Sequence, residues 1–231
     1  MDCEVNRVGI VKKNVERGDP GVYAQLGDFG VATIHEAAGK SGLMKPAIRP
    51  ICPGLRLSGS ALTVLLQPGD NWMMHVAAEQ IRPGDVVVAT CTSACNDGFF
   101  GELLATSFRA RGARGLIIDA GVRDVSDLIK MQFPVFSKNI SAQGTYKSVV
   151  GSVNVPIVCS GVVVCPGDFI VADDDGVAVV SSSRAESVLE ASRKREADEQ
   201  VKRERLQAGE LGLDMYEMRE KLERAGLRYV D

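Results

Sequence analysis

The clearest pattern of apolar and polar positions runs from residue 84 to residue 138. "GDVVVATC", "RGLIID" and "FPVFSK" are short, continuous apolar runs, and each reads as a strand buried on both faces. Between them, "GELLATSFRARG" and "RDVSDLIKMQ" carry apolar residues at helical spacing. The first helix is expected to close on Gly112 at a C′ position. The second places Val125, Leu128 and Ile129 on one face. Strand, helix, strand, helix, strand with apolar strands throughout predicts parallel pairing through right-handed crossovers.

The flanks are patterned differently. "PGVYAQLGDFGVATIHEAAGK" reads as one or two short helices with glycine breaks. Residues 41–60, rich in Pro and Gly, read as a long connection. "SALTVLLQPGD" is a strand ending in a turn, and "DNWMMHVAAEQI" is a helix with Asp70 or Asn71 as its N-cap. After residue 150, "VNVPIVC", "GVVVC", "DFIVAD" and "GVAVVSS" predict hairpins or a meander. "RPGDVVVAT" and "CPGDFIVAD" echo one another, and the shared Pro-Gly-Asp is read as a turn device rather than a functional motif.

From residue 183 to 231 the chain is helical in pattern and holds eleven Lys/Arg against twelve Asp/Glu. Mixed signs suit a solvated or salt-bridged helix. The stretch Ala185 to Leu206 has few apolar positions with which to dock on its own sheet, so it is expected to pack on a neighbouring subunit. The fold class is therefore α/β: a layered domain over residues 1–182 with a parallel βαβαβ segment and a β-rich second half, then a helical extension over 183–231.

Composition narrows the function classes. With 231 residues, 45% hydrophobic and 25% charged, the chain can bury an ordinary core. A net charge of −3 with no basic block argues against nucleic acid as the main partner. No apolar run approaches the roughly 20 residues of a membrane span, so no membrane association is expected. The start, "MDCEVNRVGIVKKN", lacks the continuous apolar segment of a secretory signal. Of the six cysteines, Cys91, Cys159 and Cys165 sit in strand-like runs, and no pair has zinc-site company. Reduced thiols in a cytoplasm are the expectation.

The candidate chemistry sits where the strand patterns stop. In "GLIIDAGVRDV", residues 115–125, the apolar run ends at Asp119, bends at Ala120-Gly121 and delivers Arg123 and Asp124. Ligands in open α/β sheets bind beyond the carboxyl ends of strands. Glu102 begins the helix after the preceding strand, so two neighbouring parallel strands bring Glu102 and Asp124 to one rim. The first turn of that helix also presents free N–H groups suited to a carboxylate or phosphate. Two carboxylates suit a hard divalent cation such as Mg²⁺ or Mn²⁺. A guanidinium suits an anion or a developing negative charge. The bland alternatives are that Asp124 caps its helix, Arg123 is a surface residue, and Glu102 answers the helix dipole.

Glu102, twenty residues, then Arg123-Asp124 resembles the Asp/Glu-x20-Arg-Asp motif of the class II pyruvate aldolases with the RraA-like fold. These are the 4-hydroxy-4-methyl-2-oxoglutarate / 4-carboxy-4-hydroxy-2-oxoadipate aldolases. The resemblance extends through "GVATIHEAAG", "RPICPGLRLSG", "PGDNWMMHVAAEQIRPGDVVV", "GELLATSFRARGARGLIIDAGVRD" and "VNVPIVCSGVVVCPGD". The charged C-terminal extension also resembles the aldolases, whereas the shorter RraA regulators tend to lack it.

The resemblance implies a role for each matching position. Asp124 would ligate Mg²⁺ or Mn²⁺ directly, and Glu102 would act through a water on the metal. Arg123 would contact the pyruvyl oxygen. The backbone amides at the start of the helix, Gly101, Leu103 and Leu104, would hold the substrate carboxylate. Glu199 of a neighbouring subunit, or Glu196 one turn earlier, would complete the outer shell. Glu102 departs from the Asp found in many members, and its extra methylene lengthens the reach to that water. His75 reads either as a structural histidine or as a contact to the substrate's distal carboxylate, and Arg49 as a weaker candidate of the same kind.

The implied activity is cleavage of a 4-hydroxy-2-oxo dicarboxylic or tricarboxylic acid to pyruvate plus oxaloacetate or pyruvate. Oxaloacetate decarboxylation would be a secondary activity, the setting aromatic-acid catabolism, and the assembly a homotrimer or homohexamer. Two rivals stand beside it: a Schiff-base aldolase using Lys138, and a non-catalytic RraA-like regulator that binds protein partners.

Overall fold

Apolar strands need cover on both faces, and the fold provides it with one sheet between packed layers. The computed structural model describes residues 5–231. In chain order, α1 (Pro20–Leu26) and α2 (Val31–Ala37) lead to β1 (Arg49–Pro50), β2 (Leu57–Leu66), α3 (Trp72–Gln80), β3 (Asp85–Cys91), β4 (Gly98–Phe100) and α4 (Glu102–Ala110). Next come β5 (Gly115–Val122), α5 (Val125–Lys130), β6 (Val135–Ile140), β7 (Ser152–Val153), β8 (Ile157–Cys159), β9 (Val162–Val164), β10 (Phe169–Asp173) and β11 (Gly176–Val180). The chain closes with α6 (Ala185–Gln207), α7 (Gly212–Met215) and α8 (Arg219–Arg224).

The main sheet runs β1-β6-β5-β3-β2-β10-β11, with β4 beside β5 and β7 beside β2, while β8 and β9 form a separate hairpin. The expected parallel trio β3, β5, β6 is present and is extended by β2. Side chains then sort with period two. Val87, Ala89, Leu116 and Ile118 face α3, α4 and α5, where Met74, Ala105, Phe108 and Leu128 complete a core. Val86, Val88, Ile117 and Phe136 face the opposite way, under Ile157, Cys159 and Val164. Of the apolar stripe expected on α5, only Leu128 is fully buried; Val125 is half-buried and Ile129 is exposed. Six residues make too short a helix to bury more than one turn's face.

β5 is longer than its apolar run suggests. The strand does not end at Asp119 but continues to Val122. Ala89 pairs with Ile118, after which β4 takes over that edge and pairs Gly98 with Gly121, with a register shift on the β6 side. Gly121 permits the change of partner, because a Cβ there would lie 2.4 Å from the Asn96 carbonyl oxygen and 2.5 Å from that of Asp97. The apparent bend is a bulge that re-aims the strand end.

The Pro-Gly-Asp echo is a shared turn device. Asp85 accepts the Arg82 N–H at 2.9 Å and Asp168 accepts the Cys165 N–H at 2.8 Å, each closing the turn that launches its strand. Asp85 also holds Arg17 through a fork of two bonds of 2.8 Å each.

The start of α6 does pack on its own sheet. Ala185, Val188 and Leu189 are buried with Tyr23, Leu26, Val31 and Ile34 of α1 and α2. One compact unit accordingly ends at Ser192 and a second begins at Arg193. Within the second unit, Arg195 pairs with Glu199, Arg205 with Glu210 and Arg219 with Asp214, and Lys202 lies over the Tyr216 ring. Among the described residues, no helix is long and apolar enough to cross a membrane.

Candidate functional site

The carboxyl ends of β4 and β5 meet beside the start of α4, and this is where the candidate residues gather. Asp124 occupies the N-cap position of α5 in the left-handed region, at φ 55° and ψ 35°. Asp tolerates that region better than most residues, and a strained position of this kind clusters at functional sites. Its side chain makes no capping bond to α5. Instead Oδ2 accepts the backbone N–H of Glu102 at 3.1 Å, with the Arg123 Nε 3.8 Å away. The alternative that Asp124 merely caps its own helix is therefore not what the structure shows.

Gly101 makes this contact possible. A Cβ at Gly101 would lie 2.2 Å from Asp124 Oδ2 and 3.1 Å from Arg123 Cγ. The Arg123 N–H is tied to the Phe100 carbonyl oxygen at 2.8 Å, so β4 fixes the backbone from which the guanidinium projects. Asp124 and Arg123 are both part-exposed, with side-chain exposures of 40% and 47%. A ligand can reach them without any rearrangement of the core.

The first intrahelical bond of α4 runs from Ala105 N–H to the Gly101 carbonyl. The N–H groups of Leu103 and Leu104 therefore belong to the unpaired first turn. The Leu104 side chain is buried and anchors the helix, whereas Leu103 is exposed. Glu102 joins the rim through its backbone. Its carboxylate turns along α4 and accepts the Thr106 hydroxyl at 2.9 Å.

Other candidates lie apart. Arg49 Nη1 bonds the carbonyls of Asp174 and Asp175 in the β10–β11 turn, at the end of the sheet opposite the rim. Lys138 meets the Asp119 carboxylate at 3.1 Å. An ammonium held in this way is the opposite of the desolvated neutral amine that a Schiff base needs. Glu199 and Glu196 lie on α6 in the second compact unit, where Glu199 pairs with Arg195 at 2.7 Å. His75 is exposed on the first turn of α3. Burial, then the nearby Lys147 charge, holds its pKa below the usual histidine value.

The patterning did not reveal one participant, the segment from Ser141 to Val149. Gly98 N–H donates to the Gln143 carbonyl at 2.7 Å, and a Cβ on Gly144 would sit 3.4 Å from Arg123 Nη1. Its far end is clamped by Asp70, which is nearly fully buried. Asp70 Oδ1 accepts the Trp72 N–H at 2.9 Å, and Oδ2 accepts the N–H groups of Ser148 and Val149 at 2.5 and 3.0 Å. Asn71 holds the formal N-cap position of α3 without a side-chain capping bond. Asp70 was legible as a cap, but its reach to residues 78 positions away had no local signal.

Among the described residues no cysteine joins a group that could hold a metal ion. Cys52, Cys91, Cys95 and Cys159 are free thiols, and Cys3 lies outside the described residues. Burial, with the neighbouring Cys95 adding to it, pushes Cys91 up to about 12, so the thiol stays protonated and inert.

Comparison with known proteins gives this geometry a family. The RraA-like model described as Aldolase/RraA matches residues 31–179. A Halalkalibacterium halodurans protein named "Putative 4-hydroxy-4-methyl-2-oxoglutarate aldolase" is 32% identical over 155 residues, covering 67% of this chain and 74% of its own. A crystal structure of an uncharacterized Pseudomonas syringae protein superimposes with a TM-score of 0.74 at 27% identity, covering 85% of this chain and 97% of that one. Streptomyces coelicolor RraAS2, titled an unusual member of the RNase ES inhibitor RraA family, gives 0.73 at 26% identity, covering 82% and 100%. With a parallel α/β sheet, the Arg123-Asp124 rim and a family match over most of its folded core, the chain belongs to the RraA-like family.

Proposed function

We propose that the protein is a divalent-metal-dependent aldolase that cleaves 4-hydroxy-2-oxo dicarboxylic or tricarboxylic acids to pyruvate plus oxaloacetate or a second pyruvate. The observation that carries this reading is the Asp124 carboxylate, turned away from its own helix and set between Arg123 and the start of α4. The name of the Halalkalibacterium relative supports it.

The residues fit a hard cation that keeps most of its water. Among the described residues no three acidic, His or Cys side chains converge, and Mg²⁺ is commonly held by one or two carboxylates plus water. Asp124 offers Oδ1 while Oδ2 is engaged by Glu102 N–H. Mg²⁺ or Mn²⁺, when bound, polarises the 2-oxo group as a Lewis acid.

The chain's own groups do the rest. The N–H groups of Leu103 and Leu104 receive the 1-carboxylate, where the helix dipole favours negative charge. Arg123 places a fixed positive charge at the 2-oxo oxygen, which becomes an enolate oxygen as the C3–C4 bond breaks. Loss of the C4 hydroxyl proton to water leaves the second product as a carbonyl compound, and a proton delivered from water to C3 of the enolate completes pyruvate. Glu102, whose backbone N–H is at the rim and whose carboxylate accepts the Thr106 hydroxyl one turn along α4, would have to turn that carboxylate back to position water for the transfer. Oxaloacetate would lose CO₂ through the same enolate. Glu199 of a neighbouring copy completes the site in a homotrimer or homohexamer, with Glu196 as the fallback, in a cytoplasmic pathway of aromatic-acid breakdown. The test is pyruvate release from 4-hydroxy-4-methyl-2-oxoglutarate with Mg²⁺ or Mn²⁺. A regulator without catalysis would release none.

A further inference from the structure

We propose that Lys147 is the specificity-determining cation for the substrate's distal carboxylate, held in place beside His75 by the Asp70 clamp. This rests on the aldolase reading and deepens it by naming what recognises the end of the substrate remote from Arg123.

Residues 141–149 run between two anchored ends. At one end this segment lies against the Arg123 guanidinium through Gly144 and is tied to β4 through the Gln143 carbonyl. At its other end, Tyr146 N–H donates to the Gly69 carbonyl at 2.7 Å and the Tyr146 carbonyl accepts the Asn71 N–H at 3.1 Å. Ser148 and Val149 then bind Asp70. Lys147 is thus bracketed on both sides by anchors to residues 69–71, and Asn71 stands about one helical turn before His75 on α3. The Lys147 side chain is exposed, as is the His75 side chain.

The segment therefore runs as a wall from the group assigned to the 2-oxo end to Lys147, beside the start of the helix that carries His75. A dicarboxylate lying along that wall has its 1-carboxylate at α4 and its far carboxylate at Lys147 and His75. His75 supplies a ring N–H, and Lys147 supplies the charge. Asp70 touches no substrate in this arrangement. It is a positioning residue whose four acceptor contacts keep the Lys147 backbone from swinging away.

The test uses two non-cleavable acids that differ only at the far end, 2-oxoglutarate and 2-oxopentanoate. Their dissociation constants are measured with Mg²⁺ for the full chain and for Lys147→Met. The wild type is expected to prefer the dicarboxylate by about tenfold, the worth of one charged hydrogen bond. Lys147→Met should bring the ratio close to one, Lys147→Arg should keep most of it, and Asp70→Asn should lower it partway. An independent readout is the His75 titration followed by NMR, whose midpoint should rise in Lys147→Met. An unchanged ratio, or an unmoved His75 midpoint, overturns the assignment. Metal-dependent deuterium exchange at the pyruvate methyl of the wild type separates the two levels. If exchange occurs and the ratio does not change, Lys147 alone is wrong. If no exchange occurs, the aldolase reading falls and this inference falls with it.

Discussion

The Asp124 carboxylate accepts the backbone N–H of Glu102 at 3.1 Å across the gap between two strand ends, and bonds no N–H of the helix that Asp124 begins. A capping aspartate would be expected to contribute about 1 kcal/mol to its helix, and this one forgoes that contact. Asp124→Asn keeps the shape and the acceptor but removes the charge. Stability to urea should change by no more than about 0.5 kcal/mol, while Mg²⁺ or Mn²⁺ should fail to restore pyruvate release after EDTA treatment. Full activity of the chelated wild type would exclude a metal-dependent aldolase.

Arg123 makes a different prediction, because its role belongs to the transition state. Arg123→Ala should lower kcat by about 10²–10³ and leave metal affinity, measured by calorimetry, much less affected. Arg123→Lys should recover only part of the loss, since an ammonium lacks the planar fork. A lysine variant with wild-type kcat would remove the enolate-stabilising role.

Gly101→Ala tests the close packing of the rim. Its φ of −152° is open to any residue, so the backbone itself is not strained. The added methyl would overlap Asp124 Oδ2 at 2.2 Å and push the carboxylate aside. Turnover should drop by about 10²-fold, the usual consequence of a displacement near 1 Å, with the circular dichroism spectrum preserved. Wild-type turnover in this variant would mean that the carboxylate position is not critical.

The buried pair Arg17–Asp85 should matter for stability alone. The Asp85 side chain is 2% exposed and also closes the turn into β3. Removing one partner of such a pair costs about 3–5 kcal/mol. Arg17→Met should lower the urea midpoint accordingly and leave KM for pyruvate-forming substrates unchanged.

The Asp70 clamp carries a pH signature. Burial pushes the Asp70 carboxyl up, but the Trp72, Ser148 and Val149 N–H groups and the Ser148 hydroxyl outweigh it and hold the pKa below the ordinary 3.8. The clamp's contribution is therefore fully present above pH 3.8 and is lost as pH falls through the lower folded-state value. The difference in urea midpoint between wild type and Asp70→Asn should shrink as pH drops below that range. A difference independent of pH would show that the carboxylate's charge plays no part.

Which features could be read from the chain follows from how local their causes are. The parallel strands were legible because β-branched runs and helical spacing are written in adjacent residues, and Gly112 closes α4 at φ 89° as its position suggested. β4 was not legible, since Gly98–Phe100 offers three residues with no period. The direction of the Asp124 and Glu102 carboxylates depends on the Gly101 contact and the Thr106 hydroxyl, which spacing does not encode. Docking of the first turns of α6 was missed because Ala185, Val188 and Leu189 occupy only the start of a long charged stretch.

The bulge at Gly121 divides one strand into two kinds of evolutionary real estate. Residues 115–118 are locked between β3 and β6 and can drift only among apolar side chains of similar volume. Residues 121 and 122 keep β6 on one side but take β4 in place of β3 on the other, and β4 is reached through the connection spanning 92–97. Changes in the length or sequence of that connection can therefore retune where Arg123 and Asp124 point while the central sheet stays as it is.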